Sequence, residues 1–131
     1  MAKYVYPAVF TKEDCGYAVN FPDVPSCYTS GQTMAEAIEM AEDVLSITMC
    51  DREDENLETP KASEIDEIKH EKNEVISLIA CDTLEYRKLY NNKAVKKTLT
   101  IPTWLNTIAE KNQVNFSSIL QKALVEQLHL D

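Results

Sequence analysis

Glycine is scarce in this chain, with two residues in 131, and histidine is no commoner. So little glycine beside an apolar content of 44% excludes a mainly disordered polymer. No run of 18 or more apolar residues occurs, which excludes a membrane-spanning helix and leaves no membrane partner to expect. The opening residues, Met-Ala-Lys-Tyr-Val-Tyr-Pro-Ala-Val-Phe10, hold one lysine and no apolar stretch ending at a small-residue cleavage site. They do not read as a signal peptide, so a cytoplasmic protein is expected. Four cysteines (Cys15, Cys27, Cys50, Cys81) are spread with no C-x-x-C pair, and His70 and His129 lie near no ligand cluster. Neither a metal site nor a cofactor is expected on such spacing. The thiols read as reduced, partly buried small hydrophobes. A catalytic thiol would need a histidine brought beside it by the fold, which the sequence leaves open.

Acidic charge is in excess, at −9 overall, but it is unevenly placed. Residues 1–60 hold three basic and twelve acidic side chains, while residues 93–131 hold five basic and three acidic. An acidic body repels nucleic acid and a basic tail does not, so two labours are expected in two segments.

Lys3–Thr11, rich in β-branched and aromatic residues, predicts a strand. Lys12–Gly16 predicts a turn and Tyr17–Phe21 a second strand, the two forming an antiparallel hairpin. Pro22-Asp-Val-Pro25 stops the hairpin, and a short third strand is expected around Cys27–Thr29, before a break at Gly31. Thr33-Met-Ala-Glu36 fits a capping box. Behind it, Met34, Ala37, Ile38, Ala41, Val44, Leu45, Thr48 and Met49 recur at helical steps, predicting an amphipathic helix laid on the sheet. Asp51–Ser63 reads as an acidic loop, Glu74–Ala80 as a buried fourth strand, and Leu84–Tyr90 as a short helix. This first part is α+β, a small sheet with a packed helix.

The last forty or so residues carry the most information. Val95–Ile101 alternates, with Lys96, Thr98 and Thr100 on one face and Leu99 and Ile101 on the other. Pro102 ends that strand and suits a first helical turn. Leu105, Ile108 and Ala109 mark a helical face, Asn112–Asn115 a turn, and Asn115 an N-cap for a second helix through Leu128. Segments below about 40 residues rarely close a core without metal, disulfide or a second chain. With no metal or disulfide pattern present, an identical chain is expected to supply the missing half.

A short strand ending in Leu-Thr-Ile-Pro102, a helix, a turn and a capped helix resembles the ribbon-helix-helix pattern. Tyr6–Phe10, Gly16–Asp23 and Thr33-x-x-Glu-Ala-Ile38 resemble the HicB antitoxin family, and Asp82–Leu124 is similar to members that carry such a tail. The resemblance implies a toxin-binding domain over residues 1–92 with a truncated ribonuclease-H-like fold. It implies a ribbon-helix-helix domain over residues 93–131, dimerised through an intermolecular two-stranded ribbon. The partners it implies are a HicA-type toxin (a small basic mRNA-cleaving ribonuclease), operator DNA and a second copy of the chain. The function implied is neutralisation of the toxin and repression of the operon's own promoter. DNA contact is then expected from Lys96, Thr98 and Thr100 at base edges, and from the Phe116 and Ser117 amides on a phosphate. For the toxin, the candidate aromatic anchors are Tyr17, Phe21 and Tyr28, with Asp23 as a charge partner. The same aromatics also read as core, Phe21 at least as readily as it reads as an anchor. Members commonly have glycine where this chain has Ser26 and Gln113, so both residues are expected to be candidates for positive φ at local cost.

Two rival functions follow from the same residues. A nuclease would need carboxylates converging on Mg²⁺, but no D-x-D pair leaves a strand end, and Asp23 is the nearest candidate. No enzyme is expected. The other rival is a stand-alone ribbon-helix-helix regulator whose first domain senses a ligand, which nothing in the sequence separates from toxin binding.

Overall fold

The computed structural model describes residues 2–130. The chain divides into two compact units, one running to Lys93 and the other starting at Ala94.

In the first unit the strands are β1 (Lys3–Glu13), β2 (Gly16–Asn20), β3 (Tyr28–Gly31) and β4 (Glu74–Asp82), and the helices are α1 (Met34–Asp54) and α2 (Thr83–Tyr90). The four strands form one antiparallel sheet in the order β3-β2-β1-β4. Residues opposite one another share a face, so the register Tyr4↔Cys81, Tyr6↔Ile79 and Phe10↔Val19 defines the face that meets α1. That face supplies Tyr6, Ala8, Phe10, Val19 and Ile79 to the core, and α1 supplies Ala37, Ala41, Leu45 and Met49. Phe10, Phe21, Leu45 and Met49 are fully buried, each contributing about 1.5–3 kcal/mol of burial free energy. Pro7 sits in β1 without breaking a ladder, because β2 pairs with β1 only as far back as Val9.

The capping threonine predicted for α1 does its work: the Thr33 hydroxyl accepts from the Glu36 amide at 3.1 Å. Glu36 itself makes no return bond. The helix runs past the predicted boundary, to Asp54, and residues 51–54 are helical rather than loop. Its stop lies at Asn56, whose φ of 56° closes the turn as the Leu57 amide reaches the Arg52 carbonyl at 2.9 Å. Three expectations for the strands need correction. The hairpin turn is shorter than Lys12–Gly16, because β1 continues to Glu13. Gly31 does not break the chain after β3 but belongs to it, and a Cβ there would lie 2.5 Å from the Ala37 amide nitrogen. β4 is an edge strand rather than a buried one, with only Ile79 and Cys81 buried along it. Ser26 and Gln113 do adopt positive φ, at 56° and 53°.

The second unit holds α3 (Thr103–Lys111) and α4 (Phe116–Gln127) after an extended segment, residues 94–102. The strand expected over Val95–Ile101 is not formed in the single chain. A strand exists only through ladder bonds to a neighbour, and none is within reach among the described residues.

Candidate functional site

At the end of the sheet where β1 starts and β4 finishes, α1, α2 and β1 are tied through one carboxylate. Glu53 accepts from the Tyr4 hydroxyl at 2.8 Å, the Thr83 hydroxyl at 2.8 Å and Arg87 Nη2 at 3.1 Å. Arg87 Nη2 also donates to the Cys50 carbonyl at 3.1 Å and to Asp54 Oδ1 at 3.0 Å. Burial alone would push the Glu53 carboxyl up, but the hydrogen bonds from Tyr4, Thr83 and Arg87 overcome it and hold it at about 2. Burial, reinforced by the Glu53 charge, pushes the Tyr4 phenol up to about 12. The network fixes α2 against α1. Burial also raises the Cys27, Cys50 and Cys81 thiols, the last to about 11, so these three stay protonated at neutral pH. Among the described residues no group of three His, Cys, Asp or Glu is arranged to hold a metal ion. Among them, too, no helix is long and apolar enough to cross a membrane.

The four residues expected to meet a partner through the first unit do not form one patch. Phe21 is 1% exposed and belongs to the core, so of its two readings the accessible anchor is the one that falls. Its burial follows from the turn behind it, where its amide reaches the Cys27 carbonyl at 3.0 Å and folds the chain over the ring. Tyr17 is half-buried and packs against the same core. Asp23 is engaged internally, accepting from the Ser63 amide at 2.8 Å and hydroxyl at 2.7 Å, and so holds down the loop after α1. Tyr28 alone is open, at 69% exposure, and its pairing with Asn20 places it on the sheet face turned away from α1.

That bare face was missed by sequence reasoning. It carries Val5 and Leu78, 50% and 53% exposed, around a fully buried Pro7 and half-buried Val9 and Ile76. A signal for it was available. β4 is apolar at both odd and even positions, and one long helix covers only one face of the sheet, which leaves Val5 and Leu78 open on the other.

In the second unit, Lys96, Thr98 and Thr100 are exposed on the extended segment. Asn115 caps α4, its side-chain oxygen accepting from the Ser118 amide at 3.0 Å. The Phe116 and Ser117 amides are thereby left free at the positive end of the helix. No residue of this unit is buried among those described. Leu99, Ile101, Phe116, Ile119, Leu120 and Ala123 instead line an open apolar cleft.

Residues 6–124 match the family described as the HicB-like antitoxin of bacterial toxin–antitoxin systems. A toxin–antitoxin complex from Streptococcus pneumoniae is similar in structure, with a TM-score of 0.63 and 29% identity, covering 95% of this chain and 99% of that one. Antitoxin HicB 2 of Photorhabdus laumondii is 48% identical over 40 residues, 30% of this chain and 29% of that protein. A 14.9 kDa uncharacterized protein from the rep–hol intergenic region of Haemophilus phage HP1 is 28% identical over 104 residues, 77% of this chain and 75% of the phage protein.

Proposed function

The chain belongs to the HicB-like antitoxin family of bacterial toxin–antitoxin systems, and from that premise we propose that its first unit captures a HicA-type ribonuclease toxin while its second unit pairs with a copy of itself to repress the operon. The observation that carries the division is the contrast between the units. The first has a closed core and an acidic surface; the second has two amphipathic helices and no buried residue.

An RNA-cleaving toxin must present a basic surface to its substrate. Glu36, Glu39, Glu42 and Asp43, all exposed on α1, give the first unit the opposite sign and speed the encounter. The reading of this unit as a truncated ribonuclease-H-like fold agrees with a β1-β2-β3 meander backed by α1. In the second unit, the segment 95–101 of two chains would pair antiparallel and complete the strand that one chain cannot form alone. Leu99 and Ile101 would then roof the cleft over α4, giving each copy the core it lacks. Lys96, Thr98 and Thr100 would project from the other face of that ribbon toward base edges in the major groove. The Phe116 and Ser117 amides would hold a flanking phosphate, fixing the ribbon's depth. The family is one of regulators, and the chain acts by binding.

The test is co-purification and operator binding. Full-length protein expressed with the adjacent small basic protein is expected to leave the column as a complex and to retard a fragment of its own promoter. Free toxin beside a monomeric antitoxin that leaves the promoter unshifted would refute the proposal.

A further inference from the structure

β4 forms one edge of the sheet, nine residues from Glu74 to Asp82 with no lysine or proline among them. Natural edges usually carry one of these, or are short, because an open edge is a template for another strand. The opposite edge, β3, has four residues. Which backbone groups β4 leaves open follows from the bonds at its two ends. The Lys12 amide donates to the Asn73 carbonyl at 2.9 Å, and the Thr83 amide to the Ala2 carbonyl at 3.0 Å. With the register Tyr4↔Cys81 and Tyr6↔Ile79, odd-numbered positions of β4 therefore bond to β1. The N–H and C=O groups of Ile76, Leu78 and Ala80 point outward, and among the described residues nothing pairs with them. The side chains of the same three residues stand on the bare sheet face, with Glu74 and Asp82 closing the row at either end.

We propose that β4 is the docking edge for the toxin, taking an extended segment of that basic protein as a fifth strand paired to Ile76, Leu78 and Ala80. The inference rests on the toxin-binding reading above and assigns it a site. Charge selects this occupant over a second copy. Two β4 strands pairing antiparallel about Leu78 would set Glu74 against Asp82 at both ends, like charge facing like charge. A basic strand meets instead a unit whose residues 1–93 hold nineteen acidic and nine basic side chains. At its two ends it meets the charge of Glu74, which accepts from the Thr11 hydroxyl and the Glu71 amide, and of Asp82, which caps α2 at the Leu84 and Glu85 amides. The cations near the edge are Lys3, which pairs with Asp82 in the register, and Lys69 and Lys72 just ahead of the strand. Main-chain bonds would supply affinity, and an apolar side chain laid on Leu78 and Val5 would supply selectivity.

The experiment is amide hydrogen exchange on the whole chain, alone and with the HicA-type toxin in a cleavage-inactive form. The Ile76, Leu78 and Ala80 amides are expected to exchange readily in the free chain and to slow by about tenfold or more in the complex. Ala80→Pro removes one outward N–H and leaves every bond to β1, so it should weaken binding about tenfold. Ala80→Ser, which keeps that N–H, should bind like the parent. A complex in which the three outward amides exchange as they do in the free chain overturns the proposal, whether or not the proline variant folds. Protection that grows with the free chain's own concentration overturns it too, by showing that a second copy holds the edge. Failure of any complex to form overturns the toxin-binding reading itself, and the docking edge falls with it.

Discussion

Replacing Glu53 by Gln should produce a stability loss that depends on pH in a defined way. The carboxylate is 14% exposed, serves Tyr4, Thr83 and Arg87, and is held at about 2 against an ordinary 4.5. At ~1.4 kcal/mol for each pH unit, that gap corresponds to about 3 kcal/mol of folding free energy. Because the folded value is depressed, the contribution is fully present above pH 4.5 and is lost as pH falls through about 2. The variant should therefore trail the parent by about 3 kcal/mol at neutral pH, since it also leaves the Arg87 guanidinium with the Cys50 carbonyl and the largely exposed Asp54 carboxylate in place of a buried one. The two should converge between pH 4.5 and 2. All six tyrosines lie before Lys93 and the single tryptophan is Trp104, so tyrosine near-ultraviolet dichroism in urea follows the first unit alone. A gap between parent and variant that stays constant across that pH window would refute the assignment of Glu53 as the charged hub.

Phe21→Ala should cost about 3–5 kcal/mol in the same urea experiment, because it empties a fully buried site, while Tyr28→Ala should change the midpoint little. Equal effects of the two would contradict their placement on opposite faces. Leu120→Ala should cost about 2–5 kcal/mol in a paired second unit, seen by sedimentation as dissociation at higher protein concentration. An unchanged dimer would argue that α4 lies outside the shared core. Lys96→Ala combined with Thr98→Ala should abolish preference for the operator over unrelated DNA while sedimentation stays that of the parent. Retained preference in a gel-shift competition would remove the ribbon from the base-reading role.

Much of the first unit is legible because its signals are local. The β-branched and aromatic run Lys3–Thr11 and the helical spacing behind Thr33 each fix an element without reference to the rest of the chain. The end of α1 is less legible, since an acidic run looks like loop until Asn56 is recognised as the residue that can turn left-handed after a helix. Positions Ser26 and Gln113 are a clearer success: a missing glycine pointed to a strained backbone, and both residues take positive φ. The candidate site was harder to read. Which of Tyr17, Phe21 and Tyr28 faces outward depends on where the chain folds after β2, and the Phe21–Cys27 bond that decides it spans six positions. The bare face and the open edge of β4 depend on sheet order, which no single segment specifies. In the second unit the reverse holds, for the alternation over 95–101 describes a strand that one chain cannot display.

The central claim is that this chain silences an RNA-cleaving partner by binding it. The most direct measurement is cleavage of an RNA substrate by the adjacent toxin as full-length protein is titrated in. Cleavage should fall in proportion to the chain added and vanish at a fixed molar ratio, more readily at low salt than at high. Undiminished cleavage at a large excess of folded protein would contradict the account.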